Sequence, residues 1–120
     1  MKIFESKFKN FKELKELEKK LDNMFSSIKV DVEFSGHFKK RILERRIERE
    51  ELIETFKKLY LKFGSKLNRD HYAALVVDVF SFLNIPIVVE WEKDEFKLTP
   101  KTVVKTEKHL PARGADVLEV

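Results

Sequence analysis

His37, Arg41 and Arg45 stand four residues apart in the stretch FSGHFKKRILERRI, residues 34–47. On a helix that spacing stacks them along one face over two turns. Phe38 and Ile42 then lie about 100° round the axis, where they can face a core. Ser35 is a natural N-cap, which puts His37 in the first turn, where free amides and the positive dipole end favour anions. A neutral imidazole near a phosphate, with two guanidiniums beyond it, has the parts for proton transfer and for stabilising developing charge. That is the inventory for metal-independent RNA cleavage by attack of a 2′-hydroxyl on the adjacent phosphate. The same residues also describe a solvated basic helix face, and the segment alone does not separate the two.

Further candidates lie downstream. The run LTPKTVVKTEKH supplies Lys101, Thr102, Lys105 and Thr106. If it is a strand, Thr102 and Val104 share one face and Lys105 takes the other. A strand hydroxyl beside a helix cation can hold a phosphate oxygen, and an edge strand protected by lysines would look the same. His71 precedes a strand-like run, and His109 follows the last one. Lys40, Arg46, Lys105 and His71 are secondary candidates for phosphate or RNA contact. Three separated histidines make no metal site, and no phosphate loop, dinucleotide fingerprint, nucleophile elbow or paired-cysteine pattern occurs, so no metal or cofactor is expected.

The elements that must position these groups can be read from periodicity. Phe4, Phe8, Phe11, Leu14, Leu17, Leu21, Met24 and Phe25 recur every three or four residues, an amphipathic helix whose mixed Lys and Glu face favours packing in a core over a membrane surface. IKVDVEF is a short strand or an extended connector. A helix follows from about Gly36 to Arg46. A second, from about Arg49 to Phe63, carries Leu52, Ile53, Phe56, Leu59, Tyr60 and Phe63 on one face, with Gly64 at its C-cap. The runs YAALVVDVF, IPIVVEW and KTVVKTE then read as strands separated by SFLN and EKDEFKLTP. Pro86 suits a strand start or an edge, and Pro100 a turn before the last strand. Helices first and sheet second give an α+β fold, N-terminal helices packed on a C-terminal antiparallel meander of three to four strands.

Composition bounds the rest. With 120 residues, eleven Phe and 42% apolar residues, the chain can bury the core of one domain. Cysteine is absent, which excludes disulfides and thiolate chemistry. The N-terminus never gives an uncharged apolar run, so a cytoplasmic protein without a membrane span is expected. Net charge is +4, and residues 37–69 hold eleven Lys or Arg against five Glu. This basic flank favours an anionic partner.

The order of His, Arg four on, Arg eight on and a following helix, then a meander ending in KLTPKTVVKTEKHLP, resembles the barnase, EndoU, colicin and RelE superfamily of small ribonucleases, in particular its phage-encoded and toxin-like members. The resemblance spans residues 30–111. It implies an RNase-like core over 28–111, preceded by the amphipathic helix within 1–27 and followed by a tail at 112–120. It further implies RNA as substrate, His37 as general acid or base, Arg41 and Arg45 as phosphate-binding or stabilising groups, and Thr102 as the polar residue of the final strand. Superfamily members differ in catalytic residues, and some keep the fold without activity. The rival expectation is a non-catalytic module whose basic helix binds nucleic acid or an acidic host protein, and a third is an interaction protein whose first helix pairs with a partner or with its own copy; a protein inhibitor or host protein is a further partner to expect.

Overall fold

The computed structural model describes residues 10–108 and 110–120; Phe4, Phe8 and His109 fall outside them. The fold is α+β, with three helices against a mixed six-stranded sheet. α1 spans Phe11–Phe25, β1 Val30–Val32, α2 Gly36–Glu44 and α3 Arg49–Phe63. They are followed by β2 Tyr72–Asp78, β3 Leu83–Glu92, β4 Glu95–Pro100, β5 Val104–Lys105 and β6 Asp116–Glu119.

The helices follow the apolar periodicity. α1 is capped by Asn10, whose side chain accepts from the Glu13 amide, and buries Leu14, Leu17, Leu21 and Phe25. The stripe that could have paired with a second copy is thus used by the protein's own core, with only Phe11 of its described apolar residues left largely exposed. α2 starts at Ser35, whose Oγ accepts from the Phe38 amide at 3.0 Å. α3 opens with Glu51 reaching back to the Glu48 amide, and Gly64 caps its end. Phe56 of α3 lies at the centre of the layer, its ring centroid 6.3–6.5 Å from those of Phe25, Phe34 and Phe38. One aromatic cluster therefore ties all three helices to the exit of β1.

α2 ends in a Schellman-type reversal: the amide of buried Ile47 bonds the Ile42 carbonyl at 3.1 Å, with Arg46 between them at φ 51°. That left-handed conformation strains any residue with a Cβ. Arg46→Gly is expected to raise stability by about 0.5–1 kcal/mol, read as a higher urea midpoint at unchanged slope.

In the sheet, β2, β3 and β4 form an antiparallel meander, and β1 and β6 add parallel strands beside β4 and β2. Three sequence expectations change. The stretch EFKLTP, read as part of a connection, is β4, because Lys93 and Asp94 both take positive φ and close a two-residue hairpin in which Glu92 pairs with Glu95. Residues 116–119, read as tail, form β6. The run KTVVKTE gives only the two residues of β5, and Thr102 lies in the connector 101–103 rather than on a strand.

Pro86 accounts for that break. It sits inside β3 rather than at its start, paired with Leu75 of β2 on one side and, on the other, at the local edge left between the β4 and β5 pairings. Its carbonyl accepts from the Lys101 amide, so its nitrogen faces the same neighbour with no hydrogen to donate. The ladder from β4 stops at Pro100 opposite Ile87 and resumes at Val104 opposite Asn84. Between them the three residues 101–103 stand opposite two of β3, so the chain bulges away from the edge after Lys101. α1 covers the outer side of β1, where Asp22 accepts from the Val32 amide at 2.8 Å and Glu18 from the Phe34 amide at 2.5 Å, so that edge cannot recruit another strand.

Candidate active site

Two bonds hold the connector against α2. The Ser35 hydroxyl donates to the Lys101 carbonyl at 3.2 Å, and the Arg45 guanidinium donates to the Val103 carbonyl. Val103 is fully buried. The cap of the helix and its last basic residue thereby bracket Thr102, which is half-buried on the connector between them. Sequence reasoning placed α2 and this segment together, and the structure does so by a route the sequence did not show: a connector expelled by Pro86 and gripped at both ends.

Within α2, His37 is exposed in the first turn, and Arg41 Nε donates to its Nε2 at 3.2 Å. In this bond Nε2 is the acceptor, so its lone pair is engaged by the guanidinium. Arg41 also donates to Glu44 at 2.5 Å, and Lys40 lies 3.9 Å from the same carboxylate. The cationic face is therefore a linked chain, His37 to Arg41 to Glu44 to Lys40. Arg45 is a clamp here, since its guanidinium is engaged by a main-chain carbonyl. Arg45→Ala is expected to cost about 1.5–3 kcal/mol in stability, the range for a bond to a charged group, whereas Arg41→Ala on the open face should shift stability by less than about 0.5 kcal/mol; chemical denaturation of both variants separates the roles.

The secondary candidates divide. Lys105 pairs with Glu51 of α3 at 2.7 Å. Arg46 is exposed at the turn after α2. His71 is not brought to this face. It precedes β2 at the end of the sheet where Tyr72 pairs with Val89, in a left-handed conformation with Asp70 3.5 Å away. The Lys101 level of the sheet corresponds to Leu75, four residues along β2, roughly 13 Å at the rise of a strand. His71 instead lines an open cleft with Arg69 and Arg113. There burial pushes the Tyr72 hydroxyl up to about 12, with its bond to Asp116 adding to the effect, so it stays a proton donor.

No family model, curated protein or solved structure matches the chain. The ribonuclease resemblance thus stands on the quoted residues alone. Among the described residues no group of three or more His, Asp or Glu is arranged to hold a metal ion, and no helix is long and apolar enough to cross a membrane.

Sequence reasoning missed a second polar cluster. Asp78, at the end of β2, is 1% exposed. It accepts from Thr55 Oγ1 at 2.7 Å, from Lys58 Nζ at 2.8 Å, and from the amides of Phe80 and Ser81. Burial pushes this carboxyl up, but the four donors outweigh it and hold the group below the ordinary carboxylate range. An aspartate at a strand end before a turn was visible in the sequence; that Thr55 and Lys58, three apart on α3, converge on it was not.

Proposed function

We propose that the protein is a small endoribonuclease whose site is the exposed face of α2 beside the 101–103 connector. The observation that supports this reading is the double clamp, Ser35 to Lys101 and Arg45 to Val103, which holds the helix that carries His37 against the segment that carries Thr102. In this reading an RNA phosphate docks against Arg41 and Thr102. Arg41 turns from His37 toward the phosphate oxygens, which releases the Nε2 lone pair. His37 takes the proton of the 2′-hydroxyl, the 2′-oxygen bonds to phosphorus, and the bond to the 5′-oxygen breaks. A 2′,3′-cyclic phosphate and a 5′-hydroxyl result, the leaving oxygen taking its proton from the imidazolium or from water. Arg41 keeps Glu44 as a second partner, so its return to His37 resets the site.

A second reading, binding of RNA without cleavage, is favoured by two features: Arg45 is engaged by a main-chain carbonyl, and Arg41 shares its charge with Glu44. Lys40, Arg46 and Lys101 would then supply most of the phosphate contact. Purified protein incubated with a mixed, end-labelled RNA in chelator separates the readings. Discrete fragments ending in cyclic phosphate support the nuclease. Binding that weakens with salt, with the RNA left intact, supports the module.

A further inference from the structure

We propose that the cleft between the first half of α3 and the 79–82 turn is a docking site for a basic, apolar-flanked peptide segment of a partner protein. The turn Val79, Phe80, Ser81, Phe82 projects three apolar side chains into solvent, Phe80 being 85% exposed. Loop tips that show aromatic rings are ordinarily mobile, yet this one is fixed: the buried Asp78 carboxylate holds the Phe80 amide at 3.0 Å and the Ser81 amide at 3.3 Å. Thr55 and Lys58 of α3 hold Asp78 in turn. A rigid apolar anchor has little freedom left to lose when a partner binds it.

Charge selects the partner. The cleft, about 430 Å³, is lined by Glu50, Glu51 and Glu54 on one side and by Phe80 and Ser81 on the other. Lys58 is neutralised by Asp78, and Glu51 by Lys105. Glu50 and Glu54, one helical turn apart on α3, remain on the open side to meet an incoming cation. Lys58 Nζ already sits 5.2 Å from the centre of the Phe80 ring, which shows that this ring accepts a cation. The Ser81 hydroxyl oxygen is inaccessible and has no hydrogen-bond partner among the described residues. An arginine or lysine entering the cleft would lay its stem on Phe80 and its head between Glu50 and Glu54, with a neighbouring apolar residue against Val79 or Phe82. Nucleic acid and anionic lipid are repelled by the same glutamates. The cleft is therefore distinct in chemistry from the α2 face, and the inference does not depend on the nuclease reading.

The test uses a fluorescein-labelled ten-residue peptide of alternating leucine and arginine, followed by anisotropy, with a leucine–glutamate peptide as the charge control. The first peptide is expected to bind and the second not. Phe80→Ser, which keeps the amide that Asp78 holds, and the double change E50Q/E54Q should each weaken binding at least about tenfold, the double change also flattening its salt dependence. His37→Ala should leave it unchanged. Circular dichroism melts confirm that the variants are folded. Absence of binding, equal affinity for all variants, or equal binding of the acidic peptide overturns the proposal. So does a concentration-dependent dimer that Phe80→Ser dissolves, which would make the occupant a second copy, or capture of phosphatidylserine vesicles through Phe80.

Discussion

Replacing His37 by alanine is expected to slow RNA cleavage by about 10²–10⁴-fold, the usual contribution of a positioned general base, while affinity for the same RNA changes by less than about threefold. His37 is dispensable to the fold. It is exposed, it belongs to neither the core nor the cap, and alanine is the better helix former at its position. Arg41 loses one partner but keeps Glu44, so the charge proposed to meet the phosphate stays in place. Single-turnover rates at saturating protein separate the chemical step from binding, and added imidazole should restore part of the alanine variant's rate by occupying the vacated space. If alanine lowers affinity and rate in parallel, or the rate survives, the histidine is not the base.

Arg41→Ala gives the complementary result. His37 would then have a free lone pair but no guanidinium to place the phosphate. RNA affinity should fall, and its dependence on salt should flatten by about one unit of slope, because one phosphate fewer is neutralised and one counterion fewer is released.

The helices were legible because each announces itself locally. Ser35 before Gly36, the apolar rhythm of Leu52, Phe56 and Leu59, and Gly64 at the close are signals within a single turn of chain. The strands were legible as runs but not as pairings. β4 was hidden because Lys93–Asp94 is a weaker hairpin signal than Asn-Gly, and because Phe96, Leu98 and Pro100 look like connection when Pro100 is given to a turn. β6 pairs in parallel with β2 across about forty residues of chain, a relation no local pattern encodes. The consequence for the site is particular. A run of alternating residues, KTVVKTE, promised a strand with Thr102 on one face. One missing hydrogen on Pro86 of the neighbouring strand breaks the ladder there instead. Arg45 shows the same limit: its position on the cationic face followed from spacing, while its bond to Val103 depends on that displaced connector.

The buried aspartate offers the sharpest stability test. Asp78→Ala is expected to destabilise the protein by about 2–4 kcal/mol, because it leaves the Lys58 ammonium, the Thr55 hydroxyl and two amides without their acceptor. The cost stays below that of a fully buried pair since the Lys58 side chain retains 25% of its exposure and can recover some hydration. Asp78→Asn keeps the shape and one acceptor oxygen and should cost less, which makes the charge itself measurable. The sign of the pH dependence follows from the depressed carboxyl. With a folded-state value below the ordinary 3.8, the group binds its proton more readily when unfolded. Its stabilisation is complete above about pH 4 to 5 and is lost as pH falls through the folded value. Denaturant midpoints measured from pH 6 down to pH 2 should therefore drop more steeply for the wild type than for Asp78→Asn. Two parallel curves would mean that the carboxylate is not the acid-sensitive element and that the four donors do not act through its charge. Because the same carboxylate fixes the Phe80 turn, Asp78→Asn should also weaken the leucine–arginine peptide at neutral pH, even though Phe80, Glu50 and Glu54 are all retained.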